Sequence, residues 1–161
     1  PPNLAACAQQ RNLFNGQTYL KTSCLISSAA NYNTARNTCH NNRMNLFVID
    51  SGVVQTAFFN ATMDMLFVSH PNGHVWINGR RQQNTWNVQN SDDTFRGPLY
   101  SGIDWVNTGT INGETNGDCL LYSAQHGNIY QAKGNVCTLG SWLICEHNVQ
   151  IAAADDDDLY Y

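Results

Sequence analysis

Six cysteines, at positions 7, 24, 39, 119, 137 and 145, constrain what this chain can fold into more than any other feature. None stands in a C-x-x-C pair, so the spacing fits neither a zinc ribbon nor a thioredoxin-type redox site. An even number of widely separated cysteines points instead to disulfides, and so to an oxidising, extracellular compartment. Number alone leaves their connectivity open.

A chain of 161 residues is long enough for one domain with its own core. Hydrophobic residues make up 42% and charged residues only 12%, which argues for a packed domain rather than disorder. The net charge is −4, and the run Asp155 to Asp158 alone supplies that much negative charge. The rest is balanced and carries no basic field for a phosphate backbone, so nucleic acid is not an expected partner. Membrane insertion is not expected either: the longest apolar stretch, Met63 to Val68, is short and holds Asp64. Pro1 to Leu4 lacks the basic and apolar regions of a signal peptide, as in a processed secreted chain. Asn60-Ala61-Thr62 is an N-glycosylation sequon, in keeping with secretion.

Periodicity divides the chain into a helical first half and a strand-rich second half. Residues 1–16 read as an N-terminal arm, and Gln17 to Ile26 as a strand. Asn31 or Asn33 can cap a helix whose face carries Tyr32, Ala35 and Cys39, with a stop at Asn41-Asn42. Leu46 to Ile49 has the size of a buried strand. Ser51 can cap a second helix, with Val54, Ala57, Phe58, Ala61 and Met65 as its apolar stripe. Asn60 falls outside that stripe, facing water. From His74 onward, short apolar runs (Val75–Ile77, Thr85–Val88, Cys119–Tyr122, Ser141–Cys145) alternate with Asn-Gly and other Gly-rich turns such as Gly134-Asn135. Two helices followed by short strands and long loops define an α+β domain. Residues 148–161 read as an acidic tail.

The order of these residues resembles the C-type lectin-like domain over about Gly16 to Glu146. Tyr32-x-x-Ala35-x-x-x-Cys39 is similar to the family's first helix. Asn45 to Ser51 is similar to its Leu-x-x-Ile-x-Ser segment, and Val75 to Gly79 to its Trp-Ile-Gly core strand with one Asn inserted. Thr85-Trp86 and Trp105 fall at its aromatic positions, and Trp142 to Glu146 resembles its terminal Phe-Ile-Cys-Glu strand. The resemblance implies two helices packed on short antiparallel sheets with a long loop region, in a domain spanning residues 17–147. It also implies the pairs Cys39–Cys145 and Cys119–Cys137, which leaves Cys7–Cys24 as the extra bridge of the family's long form.

Sugar binding in this family usually runs through calcium, which needs several converging hard oxygen ligands. Here the ligand tripeptide reads Thr110-Ile111-Asn112, Gly117 stands where an acid is expected, and Ala132-Lys133-Gly134 replaces Trp-Asn-Asp. Only Asn112 survives, and Lys133 adds a positive charge, so a calcium-independent domain without a cofactor is expected. Glu114, Asn116 and Asp118 are the nearby oxygens from which a different site would be built. His70 and His74 flank Pro71-Asn72-Gly73, which breaks the helix a zinc pair needs.

No nucleophile elbow, HExxH or P-loop pattern is present, so the chain is expected to bind rather than catalyse. The expected surface is the loop Gly97 to Asp118 with Gln125 to Asn135, since loops on a rigid scaffold commonly carry function. Asn107, Thr108, Thr110 and Asn112 suit a hydroxyl-rich glycan or an extracellular glycoprotein, and Lys133 suits an acidic group. Trp76, Trp86 and Trp142 are expected in the core, with Trp105 as the exception before the long loop. The alternative is an assembly subunit of an extracellular matrix or multimeric particle, working as an oligomer through protein–protein contacts.

Overall fold

A computed structural model describes residues 1–14, 19–69, 73–124 and 130–150. The side chains of residues 14, 19, 62–69 and 150 lie outside the description. So do His70, His126 and the Asp155–Asp158 run.

Among the described residues, nine strands and two helices form an α+β domain. After a 3-10 turn at Leu4–Ala6, β1 (Gln9–Phe14) and β2 (Tyr19–Ala30) form an antiparallel pair. Of the expected arm at residues 1–16, the described part, residues 1–14, is therefore no separate arm. The backbone of β1 pairs along β2 from Gln9↔Leu25 to Phe14↔Leu20. The same sheet continues through β9 (Ser141–Gln150), β4 (His74–Gln82), β5 (Thr85–Gln89) and β6 (Phe95–Pro98). β3 (Asn45–Leu46) joins β9, and β7 (Cys119–Ser123) pairs with both β4 and β8 (Gln131–Asn135).

Helix α1 (Tyr32–Asn41) starts where Asn31 Oδ1 accepts the Thr34 N–H at 2.8 Å and stops at Asn42. Its buried face is Tyr32, Ala35, Arg36 and Cys39, the expected stripe with one arginine added. Helix α2 (Gly52–Ser69) opens with the Val54 N–H bonded to Ser51 Oγ, and Val54, Phe58 and Ala61 turn inward. Phe47 stacks on Phe58 with ring centroids 4.3 Å apart, and Phe58 meets Tyr122 at 4.9 Å. A second core region gathers Tyr32, Trp76, Leu121 and Leu143 around the cysteines.

The three disulfides are Cys7–Cys24, Cys39–Cys145 and Cys119–Cys137. Asn78, the inserted residue of β4, is buried, and its amide donates to the Leu46 and Gln89 carbonyls and accepts from the Gln89 N–H. It thereby ties β4 to β3 and β5 at the place where the register between β4 and β7 shifts.

One charge cluster lies inside. The Lys21 ammonium, with no exposure, meets Glu146 at 3.0 Å, Asp50 at 3.1 Å and the Val48 carbonyl at 2.6 Å. Glu146 also accepts the Val48 N–H and the Asn148 amide. Burial pushes the Glu146 carboxyl above its ordinary range, against the opposing pull of Lys21.

Candidate functional site

The long loop between β6 and β7 is braced by backbone contact. The Val106 N–H donates to the Ala132 carbonyl (2.8 Å), Gly113 to Val106 (2.7 Å) and Gly134 to Gly113 (2.6 Å). These layers exist because side chains are missing. A Cβ on Gly134 would lie 2.4 Å from the Gly117 carbonyl, and one on Gly113 would lie 2.8 Å from the Val106 carbonyl. Gly134 thus serves close backbone approach inside β8, where the sequence suggested a turn.

From this base, residues 107–112 project as a small exposed tip, closed by the Asn107↔Asn112 bridge and by Thr108 N–H to the Ile111 carbonyl at 3.1 Å. Its side chains brace the turn with their oxygens. Asn107 Oδ1 accepts the Gly109 N–H, Asn112 Oδ1 accepts the Glu114 N–H, and Thr108 Oγ1 accepts the Ile111 N–H while meeting Thr110 Oγ1 at 3.2 Å. With each carbonyl oxygen anchored, the NH₂ groups of Asn107 and Asn112 stay exposed and without a partner among the described residues. The tip is a pair of oriented donors flanked by the Thr110 hydroxyl.

Beside the tip lies an aromatic hollow of about 230 Å³, walled by Trp86, Tyr100, Trp105 and Glu114. Trp86 is buried, and its indole N–H donates to the Glu114 carbonyl at 2.9 Å. Trp105 is only half-buried and leans on Trp86, with centroids 5.0 Å apart and planes at 40°. Trp105 is thus half-buried where the sequence expected the exception, but Trp142, expected in the core, is half-buried too; Tyr100, which no sequence pattern had marked, joins the hollow.

The remaining expected residues separate. Asn116 holds the loop base, its amide donating to the Gly134 carbonyl at 3.0 Å. Glu114 faces the aromatic hollow, whereas Asp118 lines a different cleft beside Arg80 and Arg81. Glu114, Asn116 and Asp118 thus fail to converge into a replacement calcium site. Among the described residues, no three His, Cys, Asp or Glu side chains come together for a metal. With Asn112 the one surviving family ligand and Glu114 and Asp118 in separate hollows, the donor set does not fit calcium.

Lys133 requires a correction. It is only 8% exposed, in a strand paired with β7 on one side and bridged to Trp105 through Ala132 on the other, so little of it reaches solvent to hold an acidic group. Of the second expected loop, residues 125–129 lie outside the description, and 131–135 form β8. His74 pairs with Ser141 Oγ at 2.8 Å. Asn60 is exposed on α2.

Comparison with solved structures identifies the architecture as the C-type lectin-like fold. Human lithostathine superposes with a TM-score of 0.60 at 17% identity, covering 80% of this chain and 92% of that one. The Ca²⁺-independent C-type lectin SPL-2 from Saxidomus purpuratus gives 0.56 at 15% identity, covering 79% and 86%. The C-type lectin domain of murine dendritic cell inhibitory receptor 2, solved in complex with an N-glycan, gives 0.60 at 17% identity, covering 80% and 91%. No protein-family model and no curated protein sequence matches the chain. No helix among the described residues is long and apolar enough to cross a membrane.

Proposed function

We propose that this protein is a secreted binding module that recognises a glycan or glycoprotein without calcium, and that it carries out no catalysis. The observation that supports this most is the braced tip at 107–112, with the anchored Asn107 and Asn112 amides facing solvent beside the half-buried Trp105. Fixed donors next to an aromatic face are what a hydroxylated ring needs: one surface for its apolar side and a few placed polar groups. Calcium independence is supported by the separation of Glu114 from Asp118, which leaves Asn112 without a converging carboxylate from either. The three disulfides favour an oxidising compartment. Two proteins of the same fold point in the same direction, one described as a Ca²⁺-independent lectin and one bound to an N-glycan.

The test is a glycan array on the oxidised protein, with calcium and then with a chelator. Binding that survives chelation and falls with Trp105→Ala is the expected result. Binding abolished by the chelator would defeat the calcium-independent reading. Silence in both conditions, together with a multimer on a sizing column, would move the function to assembly through protein–protein contacts.

A further inference from the structure

A second recess lies away from the long-loop tip, and the two hollows share no lining residue. It is a cleft of about 620 Å³ between α1, the end of β4 and the turn joining β5 to β6. That volume falls in the range of small-molecule sites, roughly 300–1,000 Å³. Three of the chain's eight Lys and Arg residues line it: Arg36, Arg80 and Arg81.

The three arginines differ in what they have left to offer. Arg36 is buried at 5% exposure. Its guanidinium is held by Asp93 Oδ1, the Asn90 carbonyl and Asn33 Oδ1. Among the described residues, the Arg80 guanidinium hydrogen-bonds only Asn33 Oδ1 (3.2 Å), and that of Arg81 only Asn84 Oδ1 (2.8 Å). Neither has a carboxylate within ion-pair distance among the described residues. Two guanidinium groups therefore stand half-exposed at the cleft with most of their donors open.

Two side chains that line the cleft also hold buried atoms: Arg36 Nε and Gln89 Oε1 have no hydrogen-bond partner among the described residues. A buried donor and a buried acceptor left unpaired are destabilising until something meets them. Asp118, exposed on the same cleft, repels a multiply charged anion and accepts from hydroxyl groups.

We propose that this cleft is a binding site for a singly charged, hydroxylated acid, the chemistry of a uronic acid residue. Its carboxylate sits on Arg80 and Arg81, which match a planar carboxylate in fork geometry. Its hydroxyls turn toward the exposed Asp118 carboxylate. The site is separate from the Trp105 face, so either can fail without the other.

The experiment is an NMR titration of the ¹⁵N-labelled full chain with glucuronic acid, with glucose and with sodium sulfate, following the arginine Nε–H signals. Glucuronic acid is expected to move the Arg36, Arg80 and Arg81 signals at concentrations where glucose and sulfate do not. Arg81→Gln and Arg80→Gln, at half-exposed positions, should each weaken that response about tenfold or more, the loss of a charge-assisted contact. Trp105→Ala should leave it unchanged. Absence of shifts with glucuronic acid, an equal response to sulfate, or binding that survives both arginine variants would overturn the proposal.

Discussion

Lys21→Met isolates the energetics of the buried charge cluster. Methionine keeps an unbranched stem against Phe47, whose ring the ammonium approaches at 4.9 Å, and removes only the charge and its bonds. Glu146, 3% exposed, is then left ionised with the Val48 N–H and the Asn148 amide as its remaining donors. Breaking one side of a buried pair costs about 3–5 kcal/mol, and the two surviving bonds place this case near the lower end. At a urea slope near 2 kcal/mol/M, a loss of about 3 kcal/mol moves the unfolding midpoint down by roughly 1.5 M. Adding Glu146→Gln should recover most of that loss, because the amide oxygen still accepts from Val48 and no buried charge remains. The deficit also depends on pH. Removing Lys21 takes away the group that lowers the Glu146 carboxyl, so its folded-state value rises further above the ordinary 4.5. The folded variant then binds a proton at a pH where the unfolded chain does not. Its deficit is full above the folded value and shrinks as pH falls toward 4.5. Urea titration of the single and double variants across that window, with disulfides intact, is the measurement. A single-variant loss below about 1 kcal/mol, or no rescue by Glu146→Gln, would refute the buried-pair reasoning.

Loop closure orders the disulfides by sequence separation: 106 for Cys39–Cys145 and 17 for Cys7–Cys24. Paired alanine replacement should cost about 4–5 kcal/mol for the first and about 3 for the second, compared by urea unfolding; the opposite order would contradict the chain-entropy account. Burial raises the Tyr32 phenol from 10.0 to about 12, although the Gly79 N–H bonded to it pulls the other way. Stability should therefore be lost as pH climbs from 10 toward 12, and Tyr32→Phe should flatten that loss in unfolding curves recorded across the range. Exposure of Asn60 on α2 predicts a glycan in secretory expression, seen as a mass drop on enzymatic deglycosylation that Asn60→Gln abolishes.

The helices were legible because their signals are local. The Asn31 and Ser51 caps and the apolar stripes sit within a few turns of each other; the structure reproduces both caps, the first stripe, and Val54, Phe58 and Ala61 of the second. The apolar runs of β4, β5, β7 and β9 were legible for the same reason. β8 was not: Gln-Ala-Lys-Gly-Asn has no apolar alternation, and it is a strand only because Gly117 and Gly134 let distant backbones meet. The burial of Lys21 was equally invisible, since its partners Asp50 and Glu146 lie 29 and 125 residues away. The Arg36 cleft did leave a trace. Position 36 completes the spacing of Tyr32, Ala35 and Cys39, and a charge on a buried helical stripe marks a place where something must meet it.

The ladder between β2 and β9 has a consequence for how the chain matures. Cys24 lies directly across from Cys145, yet each sulfur is bonded elsewhere, to Cys7 and to Cys39. Residues facing each other in such a ladder stand about 4.5–5.5 Å apart at Cα. That is within the reach of a disulfide, roughly 4.4–6.8 Å. A nascent chain whose central strands have paired before Cys7 and helix α1 arrive therefore holds two thiols poised to form the wrong bridge. Thiolate attack from Cys7 or Cys39 on that bridge releases it by exchange within one four-sulfur cluster. The yield of correctly oxidised protein is then set by the order in which elements dock, and a disulfide isomerase accelerates the release.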